Sequence, residues 1–140
     1  GDLYKRQAPY TSSRVVSKSI SAKRGINIYR GMVQVNKGAK GAKSFVQCES
    51  LILDKDSKSY TYPIIHAFEN DADIAHEATT ARISEDQLFY LKSRGLSERE
   101  SLSLMILGFI REVFPRLPFE YVSMLTKVIQ LEFSEMGGVG

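Results

Sequence analysis

Residues 26–53 read INIYRGMVQVNKGAKGAKSFVQCESLIL, and this stretch decides the fold class. It contains two runs, 26–35 and 44–53, that are rich in Val, Ile, Tyr and Phe and are therefore typical of β-strands. Residues 36–39 separate the runs and supply the Asn and Gly that tight turns favour. No helical segment lies between them, so the stretch predicts two successive strands.

The same pattern continues on both sides of this stretch. Further strands are predicted at 14–20, 60–68 and 74–83, with turns at 23–25 and 54–57. A meander, a sandwich or a stack of β-coils would all fit this spacing, and periodicity alone does not choose among them. Because irregular returns replace two-residue hairpins, we expect parallel strands in stacked coils.

After residue 83 the pattern becomes helical. Ser84 with Gln87, and Ser97 with Glu100, have the spacing of capping boxes. Helices are predicted at 85–94 ending before Gly95, at 98–114 ending at Pro115, and at about 118–135, with fraying over 137–140. Two apolar stripes are predicted to face a core, or else to form a groove for a partner: Leu102, Met105, Ile106, Phe109 and Val113 in one helix, and Val122, Leu125, Ile129 and Phe133 in the next.

Composition limits the class of protein. The 140 residues are 43% hydrophobic, which is enough for one domain or two small subdomains. No run approaches the roughly 20 apolar residues of a membrane span, and no secretory signal opens the chain, so neither a membrane nor export is expected. A single cysteine favours a reducing compartment. Since the chain lacks an initiator Met, we expect it to be part of a longer protein.

Charge is unevenly distributed along the chain. Residues 1–60 contain 12 Lys/Arg and 4 Asp/Glu, whereas residues 61–140 contain 7 and 12. A basic half can indicate nucleic-acid binding. Here the cations alternate with Ser, Val and Ile along predicted strands, which indicates solvated strand faces, and no nucleic-acid partner is expected.

Cys48 is the first candidate for chemistry. Strand alternation places it on one face with Val46, Ser50 and Ile52. A lone cysteine in such a position is often a small buried hydrophobe. A deprotonated thiol is also a nucleophile and a soft metal ligand, which raises the question of a nearby histidine.

His76, followed directly by Glu77 in DADIAHEATT, is the second candidate. Adjacent side chains of a strand point to opposite faces, so a bulge, or a partner on the second face, is needed for both to serve one site. A site of Cys48, His76 and Glu77 therefore stands as a hypothesis. In it, Cys48 and Glu77 lie on neighbouring or next-neighbouring coils, close enough for one metal ion to bridge them, and His76 lies on the opposite side of its strand unless a bulge brings it round. His66, in PIIHAF, has apolar neighbours and is interpreted as structural.

No stronger motif competes with this hypothesis. The sequence has no phosphate-binding glycine loop, nucleophile elbow or paired-cysteine zinc site. An acyltransferase-like β-solenoid enzyme with His76 or His66 as base is the enzymatic alternative, but the sequence lacks the six-residue apolar repeat of such solenoids.

Several segments together resemble the C-terminal part of the SufB/SufD family of iron–sulfur cluster assembly proteins, SufB more closely than SufD. They are SKSIS at 17–21, YRG at 29–31, QCES at 47–50, HEATT at 76–80, the run at 85–98 and the closing GVG. The resemblance implies a mainly β protein with α-helices: a truncated right-handed parallel β-helix over 1–83, followed by a C-terminal helical domain over 84–140.

The same resemblance implies a function. The protein would be a non-enzymatic scaffold for iron–sulfur cluster assembly, with the ATPase SufC bound through the C-terminal helices and SufD, or a second SufB, bound through the β-helix edge. A SufD-like structural partner is the alternative. The location would be the cytoplasm of a bacterium or archaeon, or a plastid stroma. The 140 residues by themselves, without the rest of a longer protein, are expected to self-associate.

The resemblance also implies site residues. In the family, the cysteine of QC[DE]S and the glutamate of HEAT take part in building the nascent cluster, and they correspond to Cys48 and Glu77; the histidine of the second motif is His76. SufD typically has Gly where Glu77 stands, which favours SufB. Three ligands are too few for a closed cluster, so no cluster is expected to stay bound to these 140 residues alone. The remaining ligands would come from the partner subunit, from the N-terminal part of a longer protein or from thiols in solution.

Overall fold

Six strands alternate between two parallel sheets in the computed structural model, which describes residues 2–136. The strands are β1 (Asp2–Arg6), β2 (Ser12–Ser21), β3 (Ile26–Val35), β4 (Ala42–Ile52), β5 (Lys58–Ala67) and β6 (Ala72–Arg82). Sheet A has the order β1-β3-β5, and sheet B has the order β2-β4-β6. Each pair of consecutive strands therefore forms one coil, and three coils stack along the axis.

The register repeats from coil to coil. Ser13 of β2 pairs with Ser44 of β4, and Ser44 pairs with Ile74 of β6, so one coil contains about 30 residues. All four strand pairings are parallel. The predicted stack of parallel coils, like a β-helix, is confirmed, whereas the right-handed sense of the coil stays a prediction.

The core lies between the two sheets of the middle coil. Val33 and Val35 of β3 meet Val46 and Cys48 of β4, and all four are almost fully buried. Alternation accounts for this, because every second side chain of each strand points inward. The face predicted for Cys48 is thus the interior face.

Two turns show why the strands end where they do. Between β2 and β3, Lys23 and Arg24 both have positive φ, and the Gly25 amide donates to the Ala22 carbonyl at 2.9 Å. Between β4 and β5, the Asp54 carboxylate accepts the amides of Asp56 and Ser57 at 2.9 and 2.7 Å. The predicted turn residues therefore close both returns.

The remaining described residues form three helices. They are α1 (Glu85–Ser93), α2 (Glu98–Ile110) and α3 (Phe119–Met136). Ser97 and Glu100 form the predicted capping box, and Ser84 accepts the Gln87 amide at 3.3 Å. Gly95 follows α1 with φ of 95°, as predicted. Within this helical unit, α2 packs against both α1 and α3.

Three details differ from the predictions or lie beyond them. The short, charged β1 was not predicted at all. The helix predicted over 98–114 ends at Ile110, and a 3₁₀ segment, Arg111–Arg116, contains Pro115; the proline ring disfavours the α conformation of Phe114 before it, which favours the tighter turn. The Phe133 side chain and residues 137–140 lie outside the described part.

The chain divides into two compact units between Arg82 and Ile83. Among the residues that the structure describes, no helix is long and apolar enough to cross a membrane.

Candidate functional site

Cys48 lies at the centre of the interior face of sheet B. Its side chain is 3% exposed, between Val46 and Ser50 on the same strand. In the register, Ser17 of β2 is its neighbour on one side and Ala78 of β6 on the other. The thiol therefore has a hydroxyl-bearing residue on one flank and a small residue on the flank nearer the last coil.

His76 shares this interior face. It pairs with Val46, two residues before Cys48, on the adjacent strand. With strands about 4.8 Å apart and a rise of about 3.3 Å per residue, the Cα atoms of Cys48 and His76 are about 8 Å apart. The imidazole also meets the Tyr29 ring edge to face, with 6.3 Å between centroids. A thiol and an imidazole thus lie on neighbouring strands, facing the same interior.

The imidazole is held in a neutral state. Burial lowers the pKa of His76 below its ordinary value, because the charged form loses hydration. Its Nε2 is buried and has no hydrogen-bond partner among residues 2–136. A neutral imidazole with an unpaired buried nitrogen can accept a proton or bind a metal ion.

The thiol is held in its protonated state. Burial raises the pKa of Cys48, again because the charged form loses hydration. The neutral imidazole of His76 does not offset this effect by charge. A metal ion that binds Cys48 as a thiolate must therefore displace a proton.

Glu77 occupies the outer face of the same sheet. It pairs with Gln47, and its side chain is exposed. The Gln47 amide is engaged elsewhere, since its oxygen accepts from Arg14 at 3.1 Å and its nitrogen donates to Glu49. The outer face thus presents the Glu77 carboxylate beside a hydrogen-bonded network that does not include it.

The three predicted residues are brought together in sequence register but not on one face. Cys48 and His76 point inward and Glu77 points outward, so the prediction that His76 faces away from Cys48 is wrong, because the register pairs His76 with Val46. Among the described residues, no group of three or more His, Cys, Asp and Glu side chains is arranged to hold a metal ion. The arrangement is a partial ligand set, and its two parts are separated by the thickness of one sheet.

Two of the predicted residues lie on the edge strand of sheet B. Among the described strands, β6 pairs only with β4, so its other edge has no strand partner within the coil unit. His76 and Glu77 both lie on β6, and Cys48 lies one strand further in. A strand that paired with this edge would lie beside both the outer carboxylate and the interior imidazole.

His66 belongs to a different region. It lies on β5 and points out of sheet A, where it is exposed and its ring meets Phe68 at 6.2 Å between centroids. It does not share a face with Cys48 or His76. Its interpretation as a structural residue stays a prediction.

Sequence analysis did not identify the hydroxyl groups that surround Cys48. Besides Ser17, the Ser19 and Ser50 hydroxyls are 2.9 Å apart, and Ser50 and Ser59 are 2.7 Å apart. Each serine alone is unremarkable in a strand, and only the register between coils brings them together. The alternation of Ser13, Ser17, Ser19 and Ser21 was the available signal of a polar interior.

These features define a class: a parallel β-coil protein with a thiol and an imidazole beside an open strand edge. Thiolate, imidazole and carboxylate together are donors that iron accepts. Residues 3–109 match the family described as SUF system FeS cluster assembly, SufBD core domain.

Curated relatives agree with this match. The chain is 47% identical over 133 residues to an iron–sulfur cluster assembly SufBD family protein of Mycobacterium tuberculosis H37Rv, covering 95% of this chain and 16% of the relative. It is 44% identical over 134 residues to SufBD family proteins of Staphylococcus haemolyticus and Staphylococcus aureus, covering 96% of this chain and 28% of each relative. The chain belongs to the SufBD family of iron–sulfur cluster assembly proteins.

Proposed function

We propose that the chain is the C-terminal part of a SufB-like scaffold on which an iron–sulfur cluster is assembled. The observation that carries this proposal is the placement of Cys48 and His76 on one interior face, with Glu77 beside them on the open edge strand. The nascent cluster is cargo in this proposal. No bond-breaking catalytic step is assigned to the chain.

Each donor has a distinct role. Cys48 binds iron as a thiolate and releases its thiol proton as it does so. His76, already neutral, offers its buried Nε2 without a proton loss. Glu77 holds iron at the outer side of the edge before softer ligands complete the shell.

The glutamate favours SufB over SufD. SufD-like sequences resemble this chain but typically have Gly at the position of Glu77, and a glycine supplies no donor there. The alternative is that the chain acts as a SufD-like structural partner. In that case Cys48 and Glu77 would be dispensable for cluster formation.

The missing ligands require a partner at the open edge. An unpaired strand edge exposes a row of amide and carbonyl groups that another strand can bind. We therefore assign SufD, or a second SufB, to the edge formed by β5 and β6. The partner would bring its own donors next to His76 and Glu77.

The helical unit is assigned to the ATPase SufC. Its exposed apolar side chains include Phe89 and Tyr90 of α1 and Leu104 of α2, all more than half exposed. Such residues suit a protein interface. Substituting Phe89 and Leu104 by Glu in the full-length protein should release SufC, whereas Glu at Tyr10, exposed in the coil region, should not.

The proposed compartment follows from the same role. A free thiol that must stay reduced to bind iron requires a reducing environment. The cytoplasm of a bacterium or archaeon, or a plastid stroma, supplies one.

Anaerobic reconstitution tests the proposal. The full-length protein, with its SufC and SufD counterparts, is supplied with ferrous iron and sulfide, and the visible chromophore of the cluster is measured. Cys48→Ser and Glu77→Gln should each reduce the chromophore at least tenfold.

Two matched controls keep the test specific. Val46→Ala truncates an interior side chain on the same strand and face as Cys48. Asp73→Asn removes a carboxylate from the same strand and outer face as Glu77. Both controls should retain the chromophore. Full assembly by the Cys48 and Glu77 variants would overturn the SufB-like assignment and favour the SufD-like alternative.

A further inference from the structure

The two sheets differ in their outer faces. The outer face of sheet B contains both acidic and basic side chains, with an ion pair between Lys18 and Glu49 at 2.5 Å. The outer face of sheet A is apolar and cationic. Its members, given by the alternation of β1, β3 and β5, are Leu3, Lys5, Ile26, Ile28, Arg30, Met32, Gln34, Lys58, Tyr60, Tyr62, Ile64 and His66.

This outer face has the composition of an interface. Ile28 is 53% exposed and Ile64 is 48% exposed. The Tyr60 and Tyr62 rings stack with 6.4 Å between centroids, and the Arg30 guanidinium lies 5.7 Å from the Tyr62 ring. Tyrosine and arginine are enriched where protein interfaces carry most of their binding energy.

A parallel sheet that is apolar on both faces is normally covered on both faces by other elements. Helices are the usual cover. The strands β3 and β5 have ten residues each, which corresponds to about 33 Å. A helix of roughly 18–22 residues would run along that length.

The α3 helix has matching properties. It has 18 residues, about 27 Å. Tyr121, Met124, Val128 and Leu131 form a stripe with spacings of three, four and three, and each is about half exposed or more. This spacing is the one by which a helix presents a continuous apolar edge to a partner.

Charge decides how copies of the chain would combine. The outer face of sheet A contains Lys5, Arg30 and Lys58 and no Asp or Glu, so two such faces would repel each other. Glu120 and Glu132 flank the exposed stripe of α3 and outnumber Lys127, the one cation beside it. Opposite charges therefore favour sheet A of one copy against α3 of another.

We propose that the outer face of sheet A of one copy binds the exposed α3 stripe of a second copy. The contact is heterologous, because it joins two different surfaces. Two copies that each use both surfaces form a closed dimer; otherwise the contact repeats and forms an open assembly. This proposal goes beyond cluster assembly and does not rest on it.

Complementation between two defective variants tests the proposal. A sheet variant carries Ile28→Asp and Tyr62→Asp, and a helix variant carries Met124→Asp and Val128→Asp. All four positions are exposed, so the fold should persist, which circular dichroism checks. The two altered surfaces, both acidic, repel each other. Sedimentation velocity should show wild-type self-association and at least tenfold weaker self-association of each variant alone.

A mixture of the two variants should associate one to one, because each supplies the surface that the other lacks. A control with Lys43→Asp and Thr79→Asp, exposed on the outer face of sheet B, should associate like wild type. Self-association of either variant alone, failure of the mixture, or a monomeric wild type would overturn the proposal.

Cross-linking gives a second measurement that does not depend on the Asp variants. In a Cys48→Ala background, one copy carries Tyr62→Cys and the other Met124→Cys. A short bismaleimide should join them into a heterodimer, and two Tyr62→Cys copies should not be joined. The reverse result would show that sheet A faces bind each other.

Discussion

Cys48 and Glu77 lie one residue apart in the register of neighbouring strands, yet their side chains leave opposite faces of the same sheet. Their backbone positions on β4 and β6 are close together, but the alternation of side chains along a strand places the thiol and the carboxylate on opposite faces. One iron ion held by both would require the edge strand to bend or a partner to bridge the edge. This relationship explains why the chain alone holds a partial site.

The reactivity of Cys48 should follow its burial. Since burial raises the pKa of this thiol, alkylation by iodoacetamide should reach half of its maximal rate at a higher pH in the native protein than in the urea-unfolded protein. The chain has one cysteine, so the labelled site is unambiguous. Equal midpoints in the two states would contradict the buried, protonated thiol.

The stability of the β unit should depend on pH through His76. Burial lowers the folded pKa of His76, so below about pH 6.5 the unfolded chain binds more protons and the free energy of unfolding falls. His76→Gln cannot titrate, and urea denaturation should show a smaller loss for it between pH 7.5 and 5. His66 is present in both the wild type and the variant, so its contribution to the pH dependence cancels in the comparison. Parallel pH profiles would show that His76 is not buried as described.

The turn between β2 and β3 should tolerate replacement by better turn residues. Lys23 and Arg24 have φ of 52° and 64°, a conformation that favours Asn and Gly. The double variant Lys23→Asn with Arg24→Gly should gain about 1 kcal/mol in the free energy of unfolding, because relief of the left-handed conformation exceeds the entropy cost of the added glycine.

Replacing a glycine in another turn should lower the free energy of unfolding. Gly38 has φ of 93°, and a Cβ there would meet no atom within 4 Å, so Gly38→Ala changes backbone preference alone. It should lose about 1 kcal/mol. A loss in the first variant together with a gain in the second would show that the two turns have other conformations.

The start of α2 should depend on its capping box. Ser97 Oγ accepts the Glu100 amide, and the Glu100 carboxylate accepts the Ser97 amide at 2.8 Å. Ser97→Ala should cost about 1 kcal/mol, measured by thermal unfolding of the helical signal. Ser103→Ala, inside the same helix, is the control and should change little. Equal effects of the two substitutions would argue against the capping box.

Local sequence patterns predicted most of the strands. Alternation in 44–53 placed Cys48 on one face with Val46, and the structure shows that this face is the interior one. The β1 strand was not predicted because its five residues, DLYKR, include few side chains that favour β-strands. Tertiary pairing with β3, which no local pattern reveals, stabilises it.

The relation between site residues could not be read from local pattern. Whether His76 or Glu77 shares a face with Cys48 depends on the register between β4 and β6. A shift of one residue would exchange the two faces. That register follows from the length of the whole coil and its turns, so the sequence supplied the candidates but not their faces.

In the proposed function, Cys48 and the edge residues bind the iron of a nascent cluster. X-ray absorption at the iron edge of the full-length complex, loaded anaerobically with iron and sulfide, measures the neighbours of that iron. The wild type should show sulfur together with lighter nitrogen or oxygen neighbours around iron. Cys48→Ala should lose part of the sulfur shell, and Glu77→Gln part of the lighter shell, while Asp73→Asn keeps both. An iron spectrum unchanged by either of the first two substitutions would contradict the claim.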